Sequence, residues 1–295
     1  MAVDVGITPA QLTRMVRAEQ LIRPFKGVYV VAGVFDSVEL RLAAVRLAVP
    51  RRAIVCDHTA AWVFGADLLP AGAHQGVPLL SMYVDPEGSR LRFPHVVSGE
   101  RGLESWEIVS VDGLLVTSPL RTACDLGRIR DLPRGLANVD GMLRLGLFTK
   151  AELVAAAQGF RGQRWVRSLR TVAPMADPRP QSPPESMLRF HWLSSGLPEP
   201  VPQHPVLNDE GDELYYLDLL DPVNGVAGEY DGKLFHGAER TQHDVDRRSW
   251  IEENRDITIE VFTDVDLFGR NADPVGKLRR AYRHRSYRSS SRHRM

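Results

Sequence analysis

A chain of 295 residues with 43% hydrophobic and 25% charged residues has the composition of an ordinary globular protein, long enough for two domains or three small ones. Its 37 Lys and Arg balance 37 Asp and Glu, so total charge gives no ground for a nucleic-acid partner and only local patches do. No apolar run reaches the length of a bilayer span, no signal-peptide core opens the chain, and Cys56 and Cys124 fit no metal-ligand spacing; the expectation is a cytoplasmic protein with no membrane partner and two buried thiols.

Thr8-Pro9 reads as an N-cap followed by proline at the first helical position, opening a helix over 9–20 with Leu12, Met15 and Val16 on one face and Arg14 and Arg17 elsewhere. Arg23-Pro-Phe-Lys26-Gly27-Val-Tyr-Val-Val31 then predicts a hairpin with basic residues near its tip. A helix followed by a basic hairpin resembles the recognition helix and wing of a winged helix-turn-helix. The wording Lys26-Gly-Val-Tyr29 resembles the N-terminal domain of AbiEi-type antitoxins. That resemblance implies DNA binding through Arg14, Arg17 and Lys26, in a unit over 1–36 that needs a later helix such as 38–48 to complete it. The competing reading is a small helix and hairpin packed on the rest of the protein.

Residues 37–172 predict a mixed α/β middle domain. Helices are expected over 37–48 and within 54–69, the latter capped by Asp57 or Thr59. Strands follow at 79–84, 92–97, 106–111 and 114–117, then helices at 119–127, 134–145, 150–158 and 162–170. This stretch resembles the linker domain that accompanies AbiEi-type N-termini in actinobacterial proteins. It holds no defensible set of acid, base and nucleophile. His58 beside Trp62 reads as a packed residue, and Arg90, Arg92 and Arg101 as solvated loop charges or phosphate contacts.

The proline-rich segment 173–184 marks a boundary. A helix then opens with Ser182-x-x-Glu185, a capping box in which Glu185 reaches back to the Ser182 amide. Further on, Asp221-Pro-Val-Asn-Gly225 is a turn between two apolar strands. With 222–225 as the loop, residue 221 faces 226 and Asp218 faces Glu229; two carboxylates opposed across a ladder repel unless a cation joins them. Asp231 and Lys233 fall on the side of Glu229, because strand side chains alternate, and His236 lies close by.

Asp218, then Glu229-x-Asp231-Gly, then His236 resembles the very-short-patch-repair-like branch of the PD-(D/E)XK nuclease superfamily, over about 182–267. The resemblance implies a restriction-endonuclease-like α/β domain over 185–278 with a central mixed sheet, and Mg²⁺ or Mn²⁺ held by Asp218, Glu229 and Asp231. His236 or Lys233 would then orient the attacking water or steady the charge, and Arg247 and Asp244 would lie at the site's edge, with Arg247 near a phosphate. Glu185 has a minority role as a contact to metal-bound water. From the residues alone, Asp244 and Arg248 form an ordinary i,i+4 surface pair. The tail 279–295 has seven arginines and no acid, and its composition predicts disorder. Three functions compete on this reading: a Mg²⁺-dependent DNA endonuclease, an AbiEi-type transcriptional regulator or antitoxin whose nuclease-like domain is inactive, and a binding module for a cognate toxin.

Overall fold

A computed structural model of the chain describes residues 6–50, 52–68, 80–84, 96–99, 102–232 and 238–292. The chain divides into two compact units, Met1–Leu126 with Leu145–Gly162, and Gly127–Arg144 with Gln163–Met295. Both mix helices and sheet.

In the first unit, α1 (Pro9–Arg17) begins at Thr8, whose hydroxyl accepts from the Gln11 amide while Gln11 Oε1 accepts from the Thr8 N–H at 2.7 Å. The helix stops short of the expected residue 20, where Glu19 turns to φ 55°. A hairpin follows, β1 (Leu21–Phe25) and β2 (Val28–Val31), turning at Gly27 with φ +82°, a conformation glycine adopts without strain. Phe25 and Val28 pair at its tip and are buried in the same core as Leu42 and Val45 of α2 (Val38–Ala48).

That core lies on a five-stranded mixed sheet, order β5-β4-β3-β7-β6, built from β3 (Ala53–Val55), β4 (Leu80–Val84), β5 (Val96–Gly99), β6 (Ile108–Val111) and β7 (Leu114–Thr117). The sequence reading missed β3, a three-residue strand too short to show alternation. α3 (Asp57–Phe64) starts at Cys56 with no side-chain cap. The two expected caps are committed elsewhere: Asp57, at φ 50°, accepts from the Tyr83 hydroxyl at 2.9 Å, and Thr59 Oγ1 accepts from the Ser81 N–H at 2.9 Å. Arg121 of α4 (Pro119–Gly127) is buried between Glu107 at 2.6 Å and Asp125 at 2.9 Å. Cys56 and Cys124 are buried and form no disulfide, as expected. Arg90, Arg92 and Arg101 lie outside the described residues.

Three helices come next, α5 (Leu132–Leu143), α6 (Lys150–Gly159) and α7 (Val166–Val172); α6 belongs to the first unit, the other two to the second. The second unit continues with α8 (Pro183–Leu193), β8 (Val201–Leu207), β9 (Glu213–Asp221), β10 (Val226–Tyr230), α9 (Ala238–Asn254), β11 (Thr258–Phe262), α10 (Asp264–Phe268) and α11 (Pro274–Arg292). The sheet order is β11-β10-β9-β8, with β10 and β11 parallel and the other pairs antiparallel. Strand β8 was absent from the sequence reading because Pro202 and Pro205 argue against a ladder; it is an edge strand, where proline is tolerated.

Two buried clusters border this sheet. One gathers Leu188 and Trp192 of α8 with Val226, Phe262, Leu278 and Ala281; the other gathers Leu220 and Ala227 with Ile251 of α9. Gly228 faces the first of them, where a Cβ would sit 3.0 Å from Trp192 Cζ3. Arg189 ties α8 to α5 through Asp140 at 2.8 Å, both buried. Burial pushes the Asp140 carboxyl up to about 6, with Arg189 opposing the shift. The tail expected to be disordered is instead helical through Arg292, because Leu278, Ala281 and Tyr282 recur at helical spacing and enter the first of these clusters.

Candidate functional site

The turn between β9 and β10 is built by Asp221. Its Oδ1 accepts from the amides of Val223 at 2.9 Å and Asn224 at 3.2 Å, and its Oδ2 from the Tyr282 hydroxyl at 2.7 Å. Gly225 closes the turn at φ +61° and the register runs Asp221–Val226, Leu220–Ala227, Leu219–Gly228, as the turn chemistry predicted. Pairing ends there, one step short of Asp218 and Glu229. On the other side of β9, pairing passes from Pro202–Leu219 to His204–Leu217 and skips Gln203 and Asp218; Gln203 is at φ 49°. The ladder therefore lapses at the row Gln203, Asp218, Glu229, and there the polar side chains take over. The Tyr230 N–H donates to Asp218 Oδ2 at 2.8 Å.

Each carboxylate at this row has a distinct environment. Glu185 does not reach back to Ser182; its Oε2 accepts from the Gln181 amide at 2.9 Å and from Gln203 Nε2 at 2.8 Å, although the Ser182 hydroxyl still caps the Glu185 N–H. Glu229 is buried, and its Oε2 accepts from Arg247 Nη2 at 2.8 Å and Arg248 Nε at 3.0 Å. Arg248 Nη2 also reaches Asp231 Oδ2 at 3.1 Å. Arg247 lies over the Tyr215 ring, 5.8 Å from its centre. Asp218 is different: it is partly buried, and its carboxyl is pushed up to about 7 by burial, then by the charge of Glu185, against the Tyr230 amide, with Glu229 raising it further and Arg247 lowering it.

The structure thus brings Asp218, Glu229, Asp231, Arg247 and Glu185 to one end of the sheet. Lys233 and His236 lie outside the described residues, as does the side chain of Asp244. Arg248 is a partner of Glu229 and Asp231. Gln203 and Arg248 were the residues missed, the first because its strand carries two prolines, the second because i,i+4 spacing offered a nearer acid. Among the described residues no group of three or more His, Cys, Asp or Glu is gathered to hold a metal ion. The guanidinium groups of Arg247 and Arg248 meet the charge of Glu229 and Asp231. Asp218, by contrast, accepts from the Tyr230 amide.

In the first unit, Arg14, Arg17 and Lys26 are all exposed and make no ion pair among the described residues. Arg23 is held over the Tyr29 ring at 5.7 Å.

A family model, the AbiEi antitoxin C-terminal domain, matches residues 53–174. Two uncharacterized proteins of Mycobacterium tuberculosis, one from strain CDC 1551 / Oshkosh and one from strain ATCC 25618 / H37Rv, are each 31% identical over 230 residues, covering 78% of this chain and 80% of theirs. The chain carries an AbiEi antitoxin C-terminal domain and belongs to one family with these mycobacterial proteins. The AbiEi match begins at β3 and takes in the five-stranded sheet and α4 to α7, so it falls on the middle of the chain, and the helix and hairpin precede it. Among the described residues no helix is long and apolar enough to cross a membrane.

Proposed function

We propose that the chain is an AbiEi-type antitoxin and transcriptional regulator. In this reading α1 and the β1–β2 hairpin form a winged-helix-like DNA-binding surface completed by α2, the middle of the chain serves a cognate toxin, and the C-terminal unit is a nuclease-like fold without catalysis. The AbiEi antitoxin match over 53–174 is the observation that carries it. Two features support the finer parts. Arg14, Arg17 and Lys26 are exposed without acidic partners, as phosphate contacts require, since such contacts position a protein on duplex DNA. Two of the three carboxylates expected to bind a divalent ion, Glu229 and Asp231, are engaged by arginines at 2.8–3.1 Å.

The test is a fluorescence-anisotropy titration of the chain's own promoter duplex, paired with a plasmid-cutting assay in Mg²⁺ and in Mn²⁺. The expected result is binding that weakens in the Arg14→Ala/Arg17→Ala variant, with intact plasmid throughout. Cutting by the wild type that is lost in both Asp218→Ala and Glu229→Ala would replace this reading with a metal-dependent endonuclease.

A further inference from the structure

Within the second unit, the loop before α5 and the segment leading into α7 lie side by side. Arg128 Nη1 donates to the Arg164 carbonyl at 3.4 Å, and Gly127 fits so closely that a Cβ there would come within 2.9 Å of Leu169 Cδ1. Residues 127–134 and 163–170 together carry six arginines, no lysine and one acid, Asp131. That acid is committed in part to capping α5, where Oδ1 accepts from the Arg134 N–H at 3.1 Å. Arg130, Arg164 and Arg167 are exposed and Arg134 is half-buried; among the described residues none of the four makes an ion pair. Among these cations stands Trp165, 39% exposed, with the Arg164 guanidinium 5.3 Å from its ring centre. Its backbone is left-handed, at φ 60°, a conformation that a bulky side chain adopts only at a cost.

We propose that this surface binds single-stranded nucleic acid, with its arginines on the phosphates and an unpaired base against Trp165. Guanidinium groups left without acids call for an anion. The planar fork of arginine grips two phosphate oxygens at once and also stacks on rings. Duplex DNA would use the cations and leave the indole idle, because its bases are already stacked on one another. A single strand uses both, since every base has a face to lay on an aromatic ring. A bilayer surface fits less well: a basic helix enters it through an apolar face, and Leu169 and Val172, the apolar side of α7, are both 0% exposed. None of these residues belongs to the unit that holds Arg14, Arg17 and Lys26, so the binding is a further activity and no part of the promoter contact. RNA and single-stranded DNA share this chemistry, and the experiment tells them apart.

Labelled oligothymidylate and oligouridylate are titrated by fluorescence anisotropy over a range of NaCl. The proteins are the full chain, Trp165→Leu, Trp165→Phe, Arg130→Ala/Arg167→Ala and Arg14→Ala/Arg17→Ala, after circular dichroism confirms matching folds. Binding of the wild type to either oligomer is expected, and the tighter of the two names the source. Trp165→Leu should weaken it about tenfold at an unchanged salt slope, the size of one lost base–aromatic contact, and Trp165→Phe should keep most of the affinity. Arg130→Ala/Arg167→Ala should lower the magnitude of the slope of log affinity against log salt by about 1.4, because a single strand gives about 0.7 per phosphate contact. Arg14→Ala/Arg17→Ala should bind these oligomers as the wild type does. Four results overturn the inference: no single-strand binding by the wild type, Trp165→Leu binding unchanged, an unchanged slope in the Arg130/Arg167 variant, or a loss of binding in the Arg14/Arg17 variant. A duplex of the same length that binds as tightly, with the same losses in each variant, also overturns it in favour of a duplex contact. Displacement of the oligomer by phosphatidylserine vesicles or by poly-glutamate, as effective as unlabelled oligomer at equal charge, overturns it in favour of a lipid or an acidic protein.

Discussion

Asp218→Asn tests the electrostatics of the ladder break directly. The carboxyl rises from an ordinary value of 3.8 to about 7, because burial and the charges of Glu185 and Glu229 disfavour its ionised form. A rise of about 3 units at about 1.36 kcal/mol each is about 4 kcal/mol, an upper figure. The side chain is only partly buried and Arg247 is near, so about 2 kcal/mol is the working value. The sign follows from linkage: the folded chain keeps this proton up to about pH 7, while the unfolded chain releases it near pH 4, so wild-type stability falls as pH rises between the two. An asparagine oxygen still accepts from the Tyr230 N–H and never ionises. Urea unfolding at about pH 4.5 and about pH 8 should show the two proteins nearly equal in acid and the variant more stable by about 2 kcal/mol in base. A variant that is less stable than wild type at the higher pH would refute the reasoning, because it would mean the ionised carboxylate is stabilised in place. Mg²⁺ raising wild-type stability at high pH, but not that of the variant, would restore Asp218 as a cation ligand.

Other outcomes follow from the packing. Arg189→Met leaves Asp140 buried without its 2.8 Å partner and should cost about 3–5 kcal/mol in denaturant unfolding, less at low pH where Asp140 is neutral. Gly228→Ala drives a methyl to within 3.0 Å of Trp192 and should cost about 1–3 kcal/mol, with a change in tryptophan fluorescence. Leu278→Ala empties a fully buried position where α11 meets the core, and should cost about 2–5 kcal/mol and speed amide exchange along that helix. Thr8→Ala removes one half of the α1 capping box and should lower stability by about 1 kcal/mol, read as faster exchange in α1 alone.

Where local chemistry decides the structure, the sequence was readable. Asp221-Pro-Val-Asn-Gly225 demands a turn of defined length, so the pairing of 221 with 226 could be counted off, and the ladder keeps that count as far as Leu219–Gly228. Thr8-Pro9 announced its helix in the same way. What escaped was settled by distant partners. Asp57 and Thr59 look like caps, yet Tyr83 and Ser81 claim them from another strand. Glu185 has the spacing of a capping box, yet Gln203, a residue of an unforeseen strand, competes for it. Arg248 has an acid four residues before it, and the spacing gave no sign that it also crosses to Glu229. The tail was judged by its arginines and serines, and the signal that would have corrected it is the helical spacing of Leu278, Ala281 and Tyr282.

The two borders of the β11-β10-β9-β8 sheet bear on how this protein behaves at high concentration. Exposed strand margins invite another molecule to zip on, and here each is blunted by a different means. Pro202 and Pro205 remove two donors from β8, while Lys277 Nζ occupies the Val261 carbonyl at 2.6 Å and sets a cation beside β11. Extension of this sheet by a second molecule is therefore disfavoured at both of its borders.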